Sequence, residues 1–184
     1  MHFAGGLVTM NPGSLRKRGK TVGQRVVHTL EPVMDGASRV LLLGTMPSPK
    51  SRQAGFYYAH PQNRFWRVME ALFGEAIPSD REGRRSFLLR RRIALWDVLA
   101  SCVIEGADDG SIREPVPNDM AGILRTAEIR AVFTTGSAAA RLYARYCLPV
   151  TGREAIALPS TSPANCRMSL EALVEAYRPI CRYL

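Results

Sequence analysis

The sequence predicts an α/β fold, a mostly parallel sheet with helices on both faces. Three observations predict it. The short aliphatic runs "RVLLLG", "IRAVFTTG" and "EAIALP" have the length and composition of buried strands. Segments with helical spacing of apolar residues alternate with them. Each run also leads into a loop of small polar residues, "GTMPS", "TTGS" or "PSTSPAN". In open α/β sheets ligands bind beyond the carboxyl ends of the strands, so the three loops mark one edge of the sheet as the candidate site.

Along the chain, residues 1–25 read as a loosely ordered basic arm, with no acidic residue before Glu31. Its "GSLRKRGKT" is not a phosphate-binding loop. The spacing G-x-x-x-x-G-K-[ST] requires a glycine at Ser14, and Gly13 comes one position early. Residues 26–184 form one domain. "RVLLLG" is its first strand, bounded by Gly44 and Pro47. "NRFWRVMEALFG" is a helix with Phe65, Met69, Leu72 and Phe73 along one face and Gly74 as its stop. "SDREGRRSFLLRRR" is a second helix, opened by Ser79 or Asp80. "IALWDVL" fits either a strand or a turn into a helix. "IRAVFTTG" is the next strand, and "SAAARLYARYC" an Ala-rich helix ended by Pro149. "EAIALP" is the following strand, and "RMSLEALVEAYRPICRYL" the last amphipathic helix. No internal repeat is visible.

Composition narrows the functional classes. The 184 residues suffice for one domain, and an apolar fraction of 46% argues against disorder. No stretch is long enough to cross a bilayer, and the N-terminus lacks the layout of a secretory signal. A soluble, cytoplasmic, monomeric protein is the expectation. Cys102, Cys147, Cys166 and Cys181 are far apart, with no C-x-x-C pair, and are read as buried free thiols. With three scattered histidines they give no metal site, and no cofactor is expected. The net charge of +9 favours a polyanionic partner, because Lys and Arg release counterions condensed on phosphates. A general arginine bias or solvated helix faces would give the same balance.

Residues 55–66, "GFYYAHPQNRFW", place five aromatic rings around a His-Pro-Gln-Asn run. The segment follows the first strand and enters the first helix, so its rings and amides border the same edge. Aromatic faces there can stack a base, and an amide can pair with its edge or hold a water. Phe65 and Trp66 read as core, whereas Tyr57 or Tyr58 is the better stacking residue.

The ordered set "LLLGTMPS", "GFYYAHPQNRFW" and "LPSTSPAN", with "LWDVLASC" and "VPND" between, resembles the uracil-DNA glycosylase superfamily. It is most similar to the hypoxanthine-DNA glycosylase (DNA-deoxyinosine glycosylase) branch, from about Val26 to the C-terminus. The resemblance implies a three-layer α/β sandwich around a central, mostly parallel four-stranded sheet. It implies DNA as partner, duplex or single-stranded, and base-excision repair of deaminated bases. Mismatch-specific relatives carry an Asn just after the first strand, where Thr45 and Met46 stand here. In the hypoxanthine branch the catalytic Asn is that of "HPQN", Asn63. Tyr58 falls where relatives stack a ring on the flipped base, and residues 159–165 fall on the loop that enters the duplex. Relatives often show an Asn before the Gly of "TTGS", where this chain has Thr135.

An amide does not ionise near neutral pH, but Asn63 can orient a water beside C1′ once the glycosidic bond opens toward an oxocarbenium-like sugar. Gln62, Ser160, Thr161 and backbone N–H groups of "GTMPS" are candidate donors to the leaving base, with Met46 beside them. His60 fits a donor to base or phosphate as well as it fits a loop brace. Ser48, Lys50, Arg64, Ser162, Pro163, Ala164 and Asn165 are the expected DNA contacts, although "SPANCRMSLEALV" also reads as a helix start. Asp97 reads as a structural clamp. Two other classes fit the same residues: a DNA-binding module without catalysis, and a hydrolase of free nucleosides. A lyase is disfavoured, since only Lys50 lies in these loops.

Overall fold

The structure is a computed structural model that describes Met1 and residues 23–184, so nearly all of the basic arm lies outside the described residues. Strand β2 (Val40–Gly44) is flanked by β3 (Ile93–Asp97) and β6 (Ala131–Thr135), and β7 (Ala155–Leu158) lies beyond β6. All three pairings are parallel. The segment "IALWD" is thus a strand; its alternative as a helical turn does not occur. A residue pattern that is apolar throughout, as in "VLLLG", suits a strand covered on both faces.

The two faces sort cleanly. Val40 and Leu42 pack into one core with Phe65, Met69, Phe87 and Tyr177, whereas Leu41 and Leu43 join a second with Met120, Ala139 and Tyr143. Helices α2 (Phe65–Phe73), α3 (Arg81–Arg90) and α7 (Leu170–Tyr177) cover the first face; α4 (Met120–Thr126) and α5 (Ser137–Leu142) cover the second. Asp80 caps α3 by accepting from Gly83 N–H, and Gly74 ends α2 in the left-handed region, both as the sequence predicts.

The structure departs from the sequence reading at four points. A second sheet, β1–β4–β5, adds antiparallel strands Gln24–Val27, Leu99–Glu105 and Asp108–Pro117. Its first strand begins inside the segment read as the arm. The Ala-rich helix does not stop at Pro149: a π-helical stretch, Tyr143–Cys147, leads into α6 (Leu148–Thr151), where the proline occupies a first-turn position that needs no N–H donor. The last helix starts at a Ser169 cap, leaving residues 159–168 as loop. Of the four thiols only Cys102 and Cys147 are buried; Cys166 and Cys181 are exposed. No helix among the described residues is long and apolar enough to cross a membrane.

Candidate active site

Parallel pairing brings Gly44, Asp97, Thr135 and Leu158 to a common edge, and there a cavity of about 130 Å³ opens. Cavities on the order of 150 Å³ hold one aromatic ring. Thr45, Met46 and Ser48 line it from the loop after β2, and Ser160 and Ser162 from the loop after β7. Ser48 also caps the short helix α1 (Pro49–Ala54), accepting from Ser51 N–H at 3.2 Å. Gly44 is a glycine for a local reason: a Cβ there would sit 2.2 Å from Asp97 Oδ1 and 3.2 Å from the Tyr58 hydroxyl.

The aromatic segment divides its rings between core and site. Phe56, Tyr57, Phe65 and Trp66 are buried, and Tyr57 donates its hydroxyl to the Glu31 carbonyl at 2.9 Å. Tyr58 takes φ +52°, a left-handed conformation uncommon for a bulky residue and found disproportionately at functional sites. Its ring stacks on Phe65 with centroids 3.9 Å apart and planes at 11°, so a base can use only the other face. Thr135 donates to the Leu43 carbonyl at 3.3 Å, which leaves its oxygen to accept from the Tyr58 hydroxyl at 2.8 Å. Burial and the nearby Asp97 carboxylate hold the Tyr58 phenol protonated, well above its ordinary range.

Asn63 lies at the entry to α2 and lines the cavity. Its Oδ1 accepts from Phe65 N–H at 3.0 Å and from the Thr161 hydroxyl at 2.9 Å. A backbone N–H can only donate, so this pair fixes which end of the amide is oxygen. Among the described residues no acceptor holds Nδ2, which is the end left for a ligand.

Two carboxylates border the same cavity. Asp97 Oδ2 lies 2.9 Å from His28 Nε2, with both side chains buried. His28 Nδ1 accepts from Leu30 N–H at 3.2 Å, so the proton shared with Asp97 sits on Nε2. Asp109 comes from strand β5, and its Oδ2 accepts from the Thr45 hydroxyl at 2.9 Å. Burial pushes its carboxyl above the usual range, against the Thr45 hydrogen bond.

The sequence model of the uracil DNA glycosylase superfamily matches residues 32–180. The chain belongs to that superfamily. It is 33% identical over 139 residues to a hypoxanthine DNA glycosylase of Methanosarcina acetivorans, covering 74% of this chain and 87% of that one. A hypoxanthine DNA glycosylase of Methanosarcina barkeri is 37% identical over 84 residues, 45% of this chain and 53% of that one. The solution NMR structure of a proposed uracil DNA glycosylase from M. acetivorans superposes with a TM-score of 0.70 at 30% identity, covering 85% of this chain and 99% of that one. The enzyme class is that of the DNA N-glycosylases.

Within this superfamily member, the expected residues fall into three groups. Asn63, Tyr58, Thr45, Met46, Thr135, Ser160, Ser48, Ser162 and Thr161 all line the cavity, Thr161 as a buried brace on Asn63. Gln62 is exposed outside the lining, and His60 Nδ1 accepts from Gln62 N–H at 3.2 Å. Lys50, Pro163 and Ala164 are exposed near the mouth, whereas Asn165 Nδ2 donates to the Ser160 carbonyl at 2.8 Å. Arg64 donates to the carbonyls of Asn165, at 2.6 Å, and Met168. Its guanidinium thus ties the loop to α2. His28 and Asp109 are the site residues that the sequence reading lacks. Acidic "ADDGS" in so basic a chain was the available signal for Asp109; nothing in the sequence pairs His28 with Asp97.

Proposed function

We propose that this protein is a monofunctional DNA glycosylase that hydrolyses the N-glycosidic bond of deaminated bases, hypoxanthine first and uracil second. The nucleotide is flipped into the cavity from duplex or single-stranded DNA, bound by a monomer. Flipping costs least for damaged or mispaired bases. Both curated relatives named above are hypoxanthine DNA glycosylases, and the charge of +9 favours a phosphate backbone.

The observation that carries this reading is the carboxamide of Asn63, fixed through its oxygen and bordering a cavity at the sheet's carboxyl edge. The fixed amide can contact a water beside C1′ or the departing base, and groups held in place cost no reorganisation as charge develops. Electrons of the C1′–N9 bond leave with the purine, so only a weak nucleophile is needed at the sugar.

Strand-cleavage assays on labelled duplexes carrying one inosine, uracil or xanthine, followed by alkali, test the proposal. Inosine excision by the wild type, lost in Asn63→Ala while duplex binding persists, is expected. A wild type that binds duplex but releases no base would leave a DNA-binding module, the reading favoured by the lack of an amide at Thr45 and Met46. Release from free deoxyinosine and not from duplex would indicate a nucleoside hydrolase.

A further inference from the structure

We propose that Asp109 is a catalytic residue whose carboxylate holds the attacking water and takes the proton that the water loses. The inference rests on the glycosylase reading above. Asn63 cannot complete the job alone. Its amide oxygen already accepts two hydrogen bonds, so toward a water it offers only the N–H donors of Nδ2. A water held by a donor alone keeps both of its protons without a partner. An acceptor must draw them away from C1′ for the oxygen lone pair to face the sugar.

The cavity lining offers two carboxylates for that purpose. Asp97 is only 4% exposed, with one oxygen bound by His28 and the other packed against Gly44. Asp109 is half-buried and borders the cavity from the second, antiparallel sheet. The Thr45 hydroxyl fixes its Oδ2, and among the described residues no donor holds Oδ1. Thr45 follows β2 directly, so the clamp ties the carboxylate to a loop that lines the cavity. The C1′–N9 electron pair leaves with hypoxanthine, the water oxygen bonds C1′, its proton passes to Asp109 Oδ1, and the departing base takes a proton from solvent.

Several groups act on Asp109. Asp97 from β3 and Asp108 beside it oppose its ionisation, as burial does, whereas the Thr45 hydroxyl and Arg141 of α5 favour it. The Tyr58 phenol and the Cys102 thiol also interact with it and stay neutral, since the environment raises both. The acid limb of the reaction should therefore lie above the range of an ordinary carboxylate.

Single-turnover excision of inosine from a duplex, measured across pH alongside duplex binding, tests the assignment. Asp109→Asn should lower the rate roughly a hundred-fold or more, the usual scale for a positioned base, with binding little changed and the acid limb gone. Asp109→Glu should restore part of the rate and a limb. Thr45→Val keeps the carboxylate but removes its hydrogen bond, so the limb should move to higher pH. That variant keeps the test decisive if Asp109→Asn folds poorly. A rate for Asp109→Asn within about threefold of wild type, far below the usual contribution of a base, would overturn the proposal. So would an unmoved limb in Thr45→Val. A wild type inactive on every duplex would instead sink the glycosylase reading itself, and this inference with it.

Discussion

Thr161 donates its hydroxyl to the amide oxygen of Asn63 at 2.9 Å, joining residues 98 positions apart in sequence. The bond couples the loop after β7 to the entry of α2, and Thr161 is buried. Thr161→Val is expected to free the Asn63 amide and slow inosine excision by roughly tenfold, the effect of about one net hydrogen bond. Thr161→Ser should recover most of the rate. Equal loss in both variants would assign Thr161 to packing rather than to orientation of the amide.

His28 and Asp97 form a buried polar pair at the same edge, and Gly44 leaves the space in which the carboxylate sits. Removing the imidazole strands a buried carboxylate oxygen, so His28→Ala should cost about 2–3 kcal/mol in urea unfolding. Gly44→Ala should disturb the same pair from the opposite side, because its methyl group would overlap Asp97 Oδ1. The expected cost is on the order of 1–3 kcal/mol, as for other overpacked sites. Two variants with wild-type midpoints would mean that Asp97 is not locked as described.

Legibility in the sequence followed the range of the interactions involved. "VLLLG" and "AVFTT" announce buried strands because every side chain in them is apolar or small, and Asp80 and Gly74 act within one helical turn. Asn63 and Tyr58 were readable because they stand in a dense local motif. The second sheet was not, since β5 is half-buried or exposed throughout, mixes charged residues with glycine and prolines, and pairs with β4 through several register shifts. The partners of the motif residues were equally hidden. That Thr161 would brace Asn63, that Arg64 would hold backbone carbonyls, and that Thr45 would grip Asp109 are all facts of tertiary approach.

Three phenols should be silent in alkali. Burial drives Tyr57, Tyr58 and Tyr177 above their ordinary range, with Asp97 adding to the first two. A folded-state pKa above the unfolded value means that the native protein holds these protons more tightly. Stability is therefore fully present below about pH 10, the unfolded tyrosine value, and falls as pH rises beyond it. At about pH 11 the phenolate absorbance of the native protein should fall short of the unfolded chain's by three tyrosines' worth or more. Native and unfolded spectra that coincide at that pH would contradict the burial of these rings.

Salt dependence separates the two cations that the sequence grouped together. Lys50 is exposed on α1 beside the cavity-lining Ser48 and Ser51, free to meet a phosphate. Arg64 is turned inward, its guanidinium donating to the carbonyls of Asn165 and Met168. A side chain that neutralises one phosphate contributes about 0.9 to the slope of log K against log salt. Lys50→Ala should lower the duplex-binding slope by about that amount and leave the rate of bound complex nearly unchanged. Arg64→Ala should leave the slope intact, because no condensed counterion is displaced by a group bound to carbonyls. Its effect should fall on excision and on thermal stability, through a loosened loop at residues 160–168 that no longer holds Thr161 against Asn63. Arg64→Lys cannot reach both carbonyls with one ammonium and should behave like the alanine variant. A reduced salt slope in Arg64→Ala would instead make Arg64 a phosphate ligand that leaves its carbonyl partners when DNA binds.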